Sequence, residues 1–181
     1  MPAPRSLFFL ALLLAPLPPA AALEEMRVDY YEVQGVDFNS VQRSMMSGRP
    51  FAGKTEWVLS YRYQAHMDAG ACKADAVTTR LALNMTLPRW SPPPGVAGDL
   101  IGRWERFMSA LRLHENGHVQ NARNIESAVK RALLALSSAD CGALDSAMRA
   151  RFDQLLEQGR AGDRDYDQQT EHGKTQGAVF R

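Results

Sequence analysis

The stretch Asp99–Leu136, DLIGRWERFMSALRLHENGHVQNARNIESAVKRALLAL, decides how the rest of the chain is read. Its apolar or buried-type positions run Leu100, Trp104, Phe107, Leu111, His114, His118, Ala122, Ile125, Val129, Leu133 and Leu136. Each step is three or four residues, the repeat of one face of an α-helix. The spacing predicts one long helix over 99–136, with Asp99 as its N-terminal cap. Two stripe positions are histidines where the pattern calls for Leu or Ile. Burying two imidazoles without partners costs several kcal/mol, so the stripe asks for something that satisfies both.

The local sequence names a candidate. His114-Glu115-Asn116-Gly117-His118 reads H-E-x-x-H. Residues four apart lie on one helix face, so both imidazoles can converge on one Zn²⁺ at about 2.0–2.1 Å. Glu115 adjoins the first ligand and can reach a metal-bound water. Zinc lowers that water's pKa, and the carboxylate serves as general base and then general acid. Gly117 costs about 1 kcal/mol against alanine in a helix interior. It can admit substrate or a neighbouring backbone beside the metal.

A catalytic zinc needs a third protein ligand and an open position. The segment after His118 lacks the glycine and third histidine of the metzincin extension, so the ligand comes from elsewhere. The remaining histidines are His66, at the end of a predicted strand, and His172, in the polar segment YDQQTEHG, Tyr166–Gly173. A preference for nitrogen and the density of polar groups put His172 first. Glu157 comes second, with Glu171 and Asp167 as further options. Asp167 can instead orient a ligand histidine. Glu126, eight residues past His118, would sit about 12 Å along the same helix and is set aside. Tyr166 is a candidate hydrogen-bond donor to a developing oxyanion. Trp57, Tyr61, Trp90 and Trp104 read as core, and Asp163-Arg164-Asp165 as a solvated loop.

Upstream, Arg27–Val33 is β-branched and aromatic and reads as a first strand. Asp37 can cap a short helix running to Ser47. Thr55–His66 alternates through Trp57, Leu59, Tyr61 and Tyr63; Asp68-Ala69-Gly70 is a turn; Cys72–Leu87 alternates again. These form a long β-hairpin, which Pro88 and Pro92-Pro93-Pro94 end. Asn84-Met85-Thr86 matches a glycosylation sequon but lies within a strand and reads as chance. Downstream, a second helix is expected over 143–158, stopped by Gly159 and Gly162, with a loop-like tail over 160–181. The result is one α+β domain over 23–181: a small antiparallel sheet packed against the long active-site helix and a second, C-terminal helix.

Residues 1–22 read as a cleaved signal peptide: Arg5, an apolar run over Leu7–Leu14, and the small residues Ala20-Ala21-Ala22. That implies a secreted or periplasmic protein. No second apolar stretch is long enough to span a membrane. In such a compartment Cys72 and Cys141, the only cysteines, are expected to pair, stabilising by about 4 kcal/mol in the chain-entropy model. The net charge of +1 with no long basic run argues against a nucleic-acid partner.

At these residues the chain resembles a bacterial family, domain of unknown function 922, described as predicted secreted zinc-dependent proteases. The likeness spans most of the chain after residue 22. It includes Tyr31-x-Val33-x-Gly35, the strand around Trp57, Cys72, Leu87-Pro88-x-Trp90, His114-Glu115-x-Gly117-His118 and Cys141. It ends in the tail Tyr166-Asp167-x-x-Thr170-x-His172-Gly173 followed by Gln176-Gly177-Ala178. The resemblance implies metal-dependent peptidase activity and a place for His172 in the site. The expectation is therefore a zincin-like metallopeptidase with Zn²⁺ on His114, His118 and His172, Glu115 as base, Tyr166 in support, and a protein or peptide substrate. A non-catalytic exported zinc-binding envelope protein is the alternative. An amide hydrolase of peptidoglycan stem peptides is a third reading.

Overall fold

The computed structural model describes residues 23–181; the expected signal peptide lies outside the described residues. In chain order the elements are β1 (Leu23–Val33), α1 (Phe38–Met46), β2 (Lys54–Asp68), β3 (Ala71–Trp90), α2 (Gly98–Leu134), β4 (Ser137–Ser138) and α3 (Cys141–Thr170). A 3₁₀ turn, Lys174–Gln176, follows.

The hairpin forms as its alternation requires. β2 and β3 are antiparallel, with Leu59 opposite Leu81 and Trp57 opposite Leu83. The turn is Ala69-Gly70, both with positive φ. Val77, Thr79, Leu81, Leu83 and Met85 face inward and are buried. β1 pairs with β3 in parallel, Met26 opposite Leu83, giving the order β1-β3-β2 with the short β4 beside β3. The sheet is therefore mixed, which corrects the expectation of an antiparallel one. The cause is topological: β1 and β2 leave a slot between them, and the hairpin folds β3 into it. Side-chain alternation reports the buried face of a strand, not the direction of its neighbour. Pro88 does not end β3, which runs on to Trp90. β2 begins at Lys54 opposite Thr86, so at Pro88 the strand has a neighbour on the β1 side alone. A missing N–H is tolerated there.

Two long helices pack on the sheet. α2 matches its predicted span, but its cap is Ala97, without a side-chain bond, and Asp99 lies in the first turn. α1 is capped by Asp37, as expected, with Ser40 completing a reciprocal capping box. α3 departs most from expectation: it passes through Gly159 and Gly162 and continues to Thr170. Those glycines mark close approach. A Cβ on Gly159 would come within 2.9 Å of Ile125 Cγ1 and 3.0 Å of the Trp57 indole; one on Gly162 would come within 3.0 Å of Asn121 Oδ1. The helix ends instead where Glu171, His172 and Gly173 all take positive φ. Cys141, expected in a turn, is the first residue of α3, and its disulfide to Cys72 ties that helix to the start of β3. The core fills the space between sheet and helices, with Leu81, Leu87, Val129, Leu133, Leu144 and Met148 almost wholly buried.

Candidate metal centre

α2 and α3 lie side by side and run in opposite directions. The His114/His118 face of α2 therefore meets a face of α3 that carries Asp163, Tyr166, Asp167 and Thr170, three or four residues apart. His114, Glu115 and His118 are all buried.

Three donor atoms converge between the helices. Asp167 Oδ1 lies 3.2 Å from His114 Nε2 and 3.2 Å from His118 Nε2. Donor atoms of His114, His118 and Asp167 all fall within 4.8 Å of one another. The far side of each ring is engaged: His118 Nδ1 is 2.9 Å from Asp163 Oδ1, and His114 Nδ1 is 3.1 Å from Gln176 Oε1. Both partners are acceptors, so each Nδ1 carries a proton and donates it. In a neutral imidazole Nε2 is then an unprotonated lone pair. In that form two lone pairs and a carboxylate oxygen point into one space between the helices, and a shared divalent cation can accept all three. Tetrahedral coordination at about 2.0–2.1 Å separates ligand atoms by roughly 3.3 Å, close to the two spacings to Asp167 Oδ1. The donor set thus fits a metal such as zinc.

The surroundings hold the donors in place. Asp163 receives hydrogen bonds from His118 and from Asn121 Nδ2 at Oδ1, and from Trp57 Nε1 at Oδ2, at 2.9, 2.9 and 2.7 Å. Burial alone would raise the Asp163 carboxyl, but these donors outweigh it and hold it below the usual range. Burial pushes the His114 imidazole down. For His118 burial is outweighed by Asp163 and Asp167, and its pKa is raised. Burial also raises the Glu115 carboxyl, against the opposing bond from Thr55 Oγ1, which donates to Oε2 at 2.7 Å. Gly53 passes so close that a Cβ there would sit 2.5 Å from Glu115 Oε1. A cavity of about 550 Å³ opens on His114, Glu115, His118 and Asp167.

The structure brings Asp167 to the two histidines, ahead of the residues the sequence ranked above it. His172 stands outside the close group. It is half exposed, with Nδ1 3.4 Å from Asp167 Oδ1, and packs against Phe51 at the cavity wall, ring centroids 4.6 Å apart. Glu157 is exposed and pairs with Arg164 at 2.8 Å, and Glu171 caps the end of α3. His66 pairs with Asp75 in the open, and Glu126 accepts from Thr79 in the core. Tyr166 stacks on His114, centroids 5.1 Å apart and planes 10° apart. Its hydroxyl accepts from Gln176 Nε2 at 2.9 Å, and it is not among the residues lining the cavity. That ring explains Gly117, where a Cβ would fall 2.2 Å from the phenol.

Sequence reasoning missed Asp163, placed in a solvated loop, and the link from Trp57 to it. It also missed Thr55, Asn121 and Gln176. The available signal was the spacing of Gly159, Asp163, Tyr166, Asp167 and Thr170, which continues a helical face once the glycines are not read as a stop.

A family model described as "Bacterial protein of unknown function (DUF922)" matches residues 28–173, a span that holds every site residue named above except Gln176. No curated protein and no solved structure matches the chain.

Proposed function

We propose that the chain, which belongs to the DUF922 family, is an extracytoplasmic zinc-dependent metallopeptidase of zincin-like design. One observation carries the reading. Glu115 is a buried carboxylate that adjoins the group formed by His114, His118 and Asp167, is not part of it, and lines the same cavity. A purely structural zinc is enclosed by four protein ligands; three donors opening on a cavity favour catalysis.

His114 and His118 would hold the ion through Nε2 and Asp167 through a carboxylate oxygen. When bound, zinc supplies Lewis-acid chemistry, acidifying water and polarising a carbonyl. Asp163 and Gln176 fix the ring tautomers and so keep both Nε2 lone pairs on the donor side. Thr55 ties down Glu115 Oε2 and leaves Oε1 to accept a proton from the attacking water. The raised pKa of Glu115 suits it to pass that proton to the leaving amine. Tyr166 buttresses His114 from behind, and His172 is placed to touch a substrate lying in the cavity. The disulfide supports an oxidising compartment. Among the described residues no helix is long and apolar enough to cross a membrane.

Glu115→Gln tests the reading. The variant should keep the metal content of the parent and lose peptide cleavage by about 10²–10⁴-fold. Cleavage at the parental rate would refute the assigned chemistry.

A further inference from the structure

The cavity has two unlike parts. Beside the donor group and Glu115 much of its wall is apolar, with Met45 and Met46 from α1, Phe51 from the next loop, Phe107 and Leu111 from α2, and Phe180 near the C-terminus, while Lys54 and Lys174 also reach its lining. Met45, Phe107, Leu111 and Phe180 are buried and held by the core behind them, whereas Met46 and Phe51 are 38% and 47% exposed and form the lip. The cavity volume, about 550 Å³, is in the usual range of ligand sites. Water gains little from such walls, while an apolar group seated there removes both surfaces from solvent.

Position says what that group belongs to. Leu111 lies one helical turn before Glu115 on α2. Both side chains approach Gly53, where a Cβ would meet Leu111 Cδ1 at 2.9 Å and Glu115 Oε1 at 2.5 Å. The apolar wall and the carboxylate are thus adjacent on one rigid element, about 5–6 Å apart along its axis. That is the scale separating a backbone amide from the outer carbons of its own side chain. Resting on the peptidase reading, we infer that this part of the cavity is a specificity pocket. It takes the large apolar side chain, Leu, Met or Phe, of the substrate residue beside the amide that is cut. A small side chain would leave the apolar walls wet.

The test has a binding arm and a cleavage arm. N-acetyl amino-acid amides are titrated into the purified chain by calorimetry. Leu, Met and Phe amides should bind about tenfold to a hundredfold tighter than the glycine amide. Met46→Lys and Phe51→Ala, both at the exposed lip, should shrink that preference while thermal midpoint and metal content stay parental. In a peptide library, cuts should cluster beside large apolar residues. Equal binding of all amides, or a preference unchanged in both variants, overturns the pocket assignment. Selective binding with no cleavage of any peptide supports the pocket and overturns the peptidase reading. Cleavage without side-chain selectivity does the reverse.

Discussion

At the scale of single residues, the site is organised by what lies behind the donors. Asp163 accepts from His118, Asn121 and Trp57, and so converts the position of three elements into the orientation of one imidazole. Carboxylates in this relation to a ligand histidine strengthen metal binding by 10- to 100-fold when measured by their removal, in rough terms. Asp163→Asn, which keeps an acceptor for His118 Nδ1, should weaken zinc affinity by about tenfold, and Asp163→Ala by up to roughly a hundredfold. Competition with a chromophoric chelator measures both. Equal affinity in parent and alanine variant would show that Asp163 does not act through His118. Gly117 belongs to the same logic, because the space it leaves is filled by the Tyr166 ring that stacks on His114.

At the scale of elements, the glycines of α3 separate what the sequence disclosed from what it concealed. A glycine inside an exposed helix is a liability of about 1 kcal/mol, and alanine ordinarily improves it. Gly159 should behave the opposite way, because a Cβ there would press on Ile125 and Trp57. Gly159→Ala should cost about 1–3 kcal/mol, the usual penalty for overpacking, lowering the urea midpoint with an unchanged slope. A gain in stability would mean that α3 does not pass so close to α2 and β2. The sequence made α2, the hairpin, the cap at Asp37 and the H-E-x-x-H face legible, since each is written in a local period or a local side-chain bond. The parallel pairing of β1, the run of α3 past Gly162 and the arrival of Asp163 and Asp167 at the histidines are not local. They depend on which surface α3 meets. Gly159 and Gly162 read as a stop only while that surface is unknown. His172 looked like the better ligand by type, but it follows the end of α3, where positive φ values at Glu171, His172 and Gly173 turn the chain toward the rim. Asp167, within the helix and one turn from Asp163, points between the two imidazoles.

At the scale of the whole molecule, the ends of α3 have different tasks. Its first residue, Cys141, is bonded to Cys72 at the start of β3, a separation of 69 residues, and its last turns carry Asp163 and Asp167 to α2. Replacing both cysteines by serine should cost about 4 kcal/mol, the loop-closure contribution expected for a crosslink of this span. A denaturant midpoint well below the parent's would show it. Zinc content should be unchanged under conditions where the variant stays folded, because the crosslink and the donors are at opposite ends of the helix. Loss of metal from a folded variant would contradict that division.

The proposed function requires the His114 and His118 imidazoles and the Asp167 carboxylate to act together on one cation. The most direct test is metal analysis of the purified chain beside Asp167→Ala and His172→Ala, each confirmed as folded by its thermal transition. One zinc per chain is expected in the parent and in His172→Ala, with little or none in Asp167→Ala. Full zinc in Asp167→Ala, or its loss in His172→Ala alone, would contradict the assignment.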